Sequence, residues 1–109
     1  MNEESERRLA RNETLFRETN EAIERGQWPN DPVKLVRFRC ECSRLDCGAA
    51  VEVTLADYEQ VRSSPRRFLV VPGHETPEIE TVISSEPGYL IVEKQDAAGQ
   101  IATAADPRS

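Results

Sequence analysis

Cys40-Glu41-Cys42-Ser43-Arg44-Leu45-Asp46-Cys47 is the stretch on which the reading of this chain turns. It places three thiols within eight residues, in the spacing CxCxxxxC. The chain has three cysteines in all and one histidine, His74. Thiolate and imidazole are the ligands zinc takes in a tetrahedral structural site, and such sites use four protein ligands with no open position. Ser43, Asp46 and Gly48 suit the tight turns a three-sulfur wrap requires. His74 follows Pro72-Gly73, a sharp turn able to present an imidazole from a distant part of the chain. Cys40, Cys42, Cys47 and His74 are therefore the expected ligands of one structural Zn2+ ion. Asp46 and Glu75 are the nearby carboxylates that could instead complete the shell, or orient His74 from behind it.

Working outward, Val33 to Cys40 alternates. Val36, Phe38 and Cys40 fall on one face and Leu35, Arg37 and Arg39 on the other, as in a half-buried strand. Ala50 to Thr54 predicts a second strand. Thr54 with Asp57 three residues on resembles a helix N-terminus, with Leu55, Tyr58 and Val61 facing inward as far as Arg62. Phe68 to Val71 is a short apolar strand, and Ile79 to Ser84 with Tyr89 to Glu93 forms a hairpin around Glu86-Pro87-Gly88. On the N-terminal side, residues 5 to 25 read as one amphipathic helix with Leu9, Phe16 and Ile23 at heptad spacing and Leu15 and Ala22 beside them. Gln27 to Pro32 breaks it. The expected organisation is an N-terminal helix over 1–26, a zinc-binding domain over 33–95 and a flexible tail over 96–109, poor in large apolar residues. The fold class is α+β: a helix, one small, mainly antiparallel sheet of four or five strands, and one short helix.

Zinc suits the size. Without the helix and tail the globular part is about 65 residues, and domains that small are marginal on apolar burial alone. A structural zinc contributes on the order of 10–16 kcal/mol in small peptides, comparable to a domain's whole net stability.

The whole chain of 109 residues carries a net charge of -6. By segment the charge is -3 over residues 1–31, +2 over 32–71 and -5 over 72–109. Phosphate neutralisation dominates nucleic-acid affinity, so overall acidity opposes that function. The basic middle keeps it as the alternative, through Arg37, Arg39, Arg44, Arg62, Arg66 and Arg67. No stretch approaches the roughly 20 apolar residues of a membrane helix, and the acidic N-terminus lacks an apolar signal segment. A cytoplasmic protein is expected, where thiols stay reduced and bind metal more often than they pair.

No catalytic signature is present. HExxH and the HxE…PCxxC order of zinc deaminases are both missing, and three thiolates would weaken the metal as a Lewis acid. A zinc hydrolase and a thiol redox switch are the lesser readings. The leading one is a small zinc-stabilised, non-enzymatic module that binds another macromolecule, most simply a protein. Its helix leaves open a monomer or a homodimer formed through residues 1–26.

The cysteine spacing is similar to the zinc-binding post-SET segment of lysine methyltransferases, where a CxCxxxxC array takes its fourth ligand from elsewhere. That likeness covers eight residues, and 109 have no room for the methyltransferase domain, so it implies coordination and no activity. Over nearly its whole length the chain resembles a set of small bacterial zinc-binding proteins. The pattern shared with them runs through RNETLFRETNEAIE (Arg11 to Glu24), CECxxxxC, VTLADYEQVRSSPRRF (Val53 to Phe68), PGHE (Pro72 to Glu75) and GYLIVEK (Gly88 to Lys94). The resemblance implies the metal-ligand residues and carries no function with it.

Overall fold

The computed structural model describes residues 2 to 108. Helix α1 spans Glu3–Arg25. The Asn2 side chain accepts the Ser5 N–H at 2.8 Å, and Glu3, Glu4 and Glu6 place negative charge on the first turn, where the helix dipole favours it. Strands β1 (Leu35–Arg39) and β2 (Ala50–Thr54) pair antiparallel, with Val36 opposite Val53 and Phe38 opposite Val51. Helix α2 (Leu55–Arg62) starts as its sequence predicts, the Thr54 hydroxyl accepting the Asp57 N–H at 3.1 Å. Strands β3 (Arg67–Val70), β4 (Glu80–Glu86) and β5 (Tyr89–Lys94) form a second antiparallel sheet in the order β3-β5-β4. Helix α3 covers Asp96–Ala104.

The class is α+β, as the sequence indicates, but its strands divide into sheets of two and three rather than one. Glu41 joins them. Its N–H donates to the Leu69 carbonyl at 2.8 Å, and its carboxylate accepts the Leu69 N–H at 3.0 Å. A single side chain thus stands where a further ladder bond would be, and the chain leaves β1 for the cysteine loop. One apolar cluster, Val36, Phe38, Val51, Val53, Tyr58, Val61 and Leu69, fills the space between the two-stranded sheet and α2. Within it the Phe38 and Tyr58 rings stack with centroids 4.1 Å apart. A second contains the three cysteines with Phe68, Val70, Leu90, Val92 and Ala102.

Two expectations are corrected. Residues 96 to 104 form α3 instead of a frayed tail. Small residues are what let it lie close: Ala98, Gly99 and Ala102 are buried, and a Cβ on Gly99 would stand 2.1 Å from the Arg66 guanidinium. The apolar stripe of α1 is also inward only in part, with Leu9 and Ile23 half-buried against core clusters. Phe16 is buried, but Leu15 is 52% exposed and Ala22 is exposed, while Glu13, Arg17, Asn20 and Glu21 face inward with Ala10 and Thr14. That polar face is buried because each group finds a partner. Lys94 Nζ lies 2.5 Å from Glu13 and also bonds Glu80. Arg17 donates to the carbonyls of Pro65 at 2.6 Å and Ala102 at 2.8 Å, and its guanidinium lies over the Phe68 ring. Glu21 accepts the Tyr58 hydroxyl at 2.9 Å and pairs with Arg62. Among the described residues no helix is long and apolar enough to cross a membrane.

Candidate metal centre

Cys40 is positioned by the ladder, since its N–H still donates to the Ala49 carbonyl at 3.0 Å beyond the end of β1. Cys42 and Cys47 bracket a turn closed by the Cys47 N–H on the Arg44 carbonyl at 3.1 Å. His74 arrives from the other sheet. Its N–H bonds the Val71 carbonyl at 2.9 Å around a turn in which Gly73 has φ +92°, a conformation that favours glycine. The three sulfurs and one imidazole nitrogen all lie within 4.8 Å of one another, with Nδ1 of His74 3.7 Å from Cys40 Sγ and 3.5 Å from Cys47 Sγ. All four residues named from the sequence are thus brought together, in an arrangement that could hold a metal ion.

The cysteines are buried and unpaired, and His74 is half-buried. Burial pushes the Cys40 and Cys42 thiols up, because desolvation penalises the thiolate and the neighbouring sulfurs repel its charge. A dication among them reverses that balance and makes three buried thiolates tenable. Neither nearby carboxylate joins the cluster among the described residues. Asp46 is exposed, and Glu75 turns back to accept the Gly73 N–H at 2.7 Å.

The loop is held from outside by α1. Asn12 donates to the Ser43 carbonyl at 3.0 Å, and Arg39, its guanidinium over the Phe16 ring, donates to the Cys47 carbonyl. Ser43 and Thr76 hydroxyls, 3.1 Å apart, tie the cysteine loop to the segment carrying His74. Glu41 sits fully buried between two ligands and also accepts from Asn20 at 2.8 Å. Sequence reasoning missed this support and the Glu13–Lys94–Glu80 group alike. Glu13, Arg17 and Glu21 recur every four residues, which reads equally well as a solvated, salt-bridged face.

The arginines named as a possible nucleic-acid patch divide: Arg37 and Arg44 are exposed and Arg66 is half-buried. Arg62 is 4% exposed and engaged with Glu21 and Asp106, Arg39 is spent on the metal loop, and Arg67 faces Glu93. A concave surface lined by Glu24, Gln27, Pro32, Leu55 and Glu59 shares no residue with the cysteine cluster.

Fold and site together define a small α+β protein whose two sheets meet at a buried group of three cysteines and one histidine able to take a metal. Comparison with protein-family models, curated proteins and solved structures finds no match.

Proposed function

We propose that Cys40, Cys42, Cys47 and His74 hold one zinc ion in a closed structural site, and that the domain it staples works by binding a protein partner in the cytoplasm. The observation that carries the zinc reading is the spacing of the donor atoms. Zn–S near 2.3 Å and Zn–N near 2.0–2.1 Å in a tetrahedron put sulfur and nitrogen about 3.6 Å apart. The Sγ–Nδ1 separations are 3.7 Å from Cys40 and 3.5 Å from Cys47, and all four donors lie within 4.8 Å of one another. Soft thiolates with imidazole favour zinc over hard cations such as magnesium or calcium. Four protein donors leave no coordination position for an activated water, which favours a staple over a catalyst.

The binding role draws on what the fold leaves exposed. Trp28 is 88% exposed, Val33 75% and Leu35 64%, all on the segment from α1 into β1. Large exposed side chains, Trp above all, are the usual anchors of protein interfaces. Arg39 and Arg62 are engaged internally, which favours a protein partner over the nucleic-acid alternative. The resemblance to small bacterial zinc-binding proteins belongs to the same reading.

Native mass spectrometry of the purified chain tests the metal: one zinc per chain is expected, and none overturns the staple. Affinity capture from the host with Trp28→Ala/Leu35→Ser as control tests the surface. A partner held equally by both proteins overturns the assignment of that surface.

A further inference from the structure

The three sulfurs of the proposed zinc site have different surroundings. Cys40 is 0% exposed, and its Sγ accepts the Val71 N–H at 3.2 Å. Cys42 is also 0% exposed. Cys47 is 7% exposed, and its Sγ lies 3.5 Å from Nδ1 of His74. It lies at the outer end of the loop, between exposed Asp46 and Gly48 and two residues from Leu45, which is 59% exposed. An N–H donor stabilises thiolate charge and draws density from the lone pairs that would attack an electrophile. Ligation by the same cation leaves the Val71 N–H bond on Cys40 and the greater access of Cys47 as what separates the three sulfurs.

We infer that Cys47 is the modification site of this centre, reacting first with peroxide-class oxidants and so releasing the metal. The inference rests on the zinc reading above. A Cys47 sulfur lone pair attacks one peroxide oxygen. The S–O bond forms, the O–O bond breaks and hydroxide leaves, so sulfur is oxidised to the sulfenic state and peroxide reduced. The Cys42 thiolate then attacks the sulfenic sulfur, forming the disulfide and expelling a second hydroxide. In sum, two thiolates and one hydrogen peroxide give one disulfide and two hydroxides. Cys42 is the resolving partner because residues 43 to 46 join it to Cys47 through an irregular loop. Cys40, by contrast, is fixed by the Ala49 ladder bond and by Val71. With two of four ligands gone the ion leaves, and a dithiol reductant with added zinc reverses the change.

The test uses the full chain. Native mass spectrometry first counts zinc, and a chain without it overturns both this inference and the reading beneath it. Zinc-loaded protein is then given limiting hydrogen peroxide or, separately, N-ethylmaleimide, with a chromogenic indicator reporting free zinc and peptide mapping reporting each cysteine. Cys47 should react about tenfold faster than Cys40 or Cys42. Zinc release should follow Cys47 modification, and the peroxide product should carry a Cys42–Cys47 disulfide. Equal labelling of the three thiols, first reaction at Cys40 or Cys42, or zinc retained on Cys47-modified protein overturns the inference and leaves the zinc staple standing.

Discussion

Asn20 is bonded to Arg39 as a neighbouring strand would be: its side-chain carbonyl accepts the Arg39 N–H at 2.7 Å and its amide donates to the Arg39 carbonyl at 2.8 Å. The same amide reaches Glu41 at 2.8 Å. One helical side chain therefore satisfies the outer edge of β1 and the buried carboxylate that joins the two sheets. Asn20→Ala leaves these groups without partners and should cost about 2–4 kcal/mol. Urea unfolding checks this, as a shift in midpoint at unchanged slope. A loss under about 1 kcal/mol would mean that water replaces the amide.

Lys94 is the one cation between the carboxyl groups of Glu13 and Glu80, all three side chains being fully buried. Lys94→Met should therefore destabilise by about 3–5 kcal/mol, the cost of breaking a buried pair from one side. Glu13→Gln should stay within about 1 kcal/mol of the parent. Burial pushes the Glu13 carboxyl well above the ordinary range against the opposing pull of Lys94, with Glu80 disfavouring a second negative charge, and so favours its protonated form. Equal losses for the two variants would show that Glu13 is ionised.

Helix α3 supplies more than covering. The buried Arg17 guanidinium donates to the Ala102 carbonyl, and Ala98 and Ala102 are almost wholly buried. Ending the chain after Gln95 should cost at least about 3 kcal/mol, because a buried cation loses an acceptor and Phe68 loses its cover. A thermal midpoint unchanged by the truncation would mean the helix is not docked in solution.

Glu24 and Glu59 give the fold a pH dependence of known sign. The Glu24 carboxyl is pushed up to about 7, first by burial and then by the Glu59 carboxylate it bonds. Its protonated form is the one the fold prefers. The stability this contributes is fully present below the unfolded value of 4.5 and is lost as pH rises from there through about 7. Over that window the parent should lose stability relative to Glu24→Gln, as read from thermal midpoints at several pH values. Parallel curves for the two proteins would refute the shift.

Removing the proposed zinc should act on the whole fold, because the candidate site draws on both sheets. Cys42→Ser should abolish stoichiometric zinc and lower the thermal midpoint as far as a chelator lowers the parent's. His74→Ala should weaken zinc by more than the roughly 10–100-fold that partners outside the shell already cost. A Cys42→Ser protein that keeps both zinc and midpoint would remove the staple from the account, and unchanged affinity in His74→Ala would remove His74 from the shell.

The strands, α2 with its Thr54 cap and the clustering of Cys40, Cys42, Cys47 and His74 were legible in the sequence because their signals are local or compositional. Alternation at Val36, Phe38 and Cys40 fixes a face whatever the strand pairs with. With a single histidine in the chain, the choice of an imidazole donor is closed at once. The heptad residues Leu9, Phe16 and Ile23 do pack inward, but the polar part of the buried face was not legible, since Glu13, Arg17 and Glu21 repeat in the manner of a wet stripe. Their burial depends on partners as distant as Pro65, Lys94 and Ala102, and no window along the helix contains those.

By itself, then, the sequence determined the element types, the α+β class and the identity of the candidate metal-site donors, because periodicity, turn chemistry and the scarcity of soft ligands act over a few residues. The tertiary structure alone decided that the strands split into two sheets bridged by Glu41, that residues 96 to 104 dock as a helix, and that a charged helix face becomes interior. The reason is desolvation: a charge or an amide is buried only where the fold supplies its counterpart, and that counterpart is assembled from residues far apart in the chain.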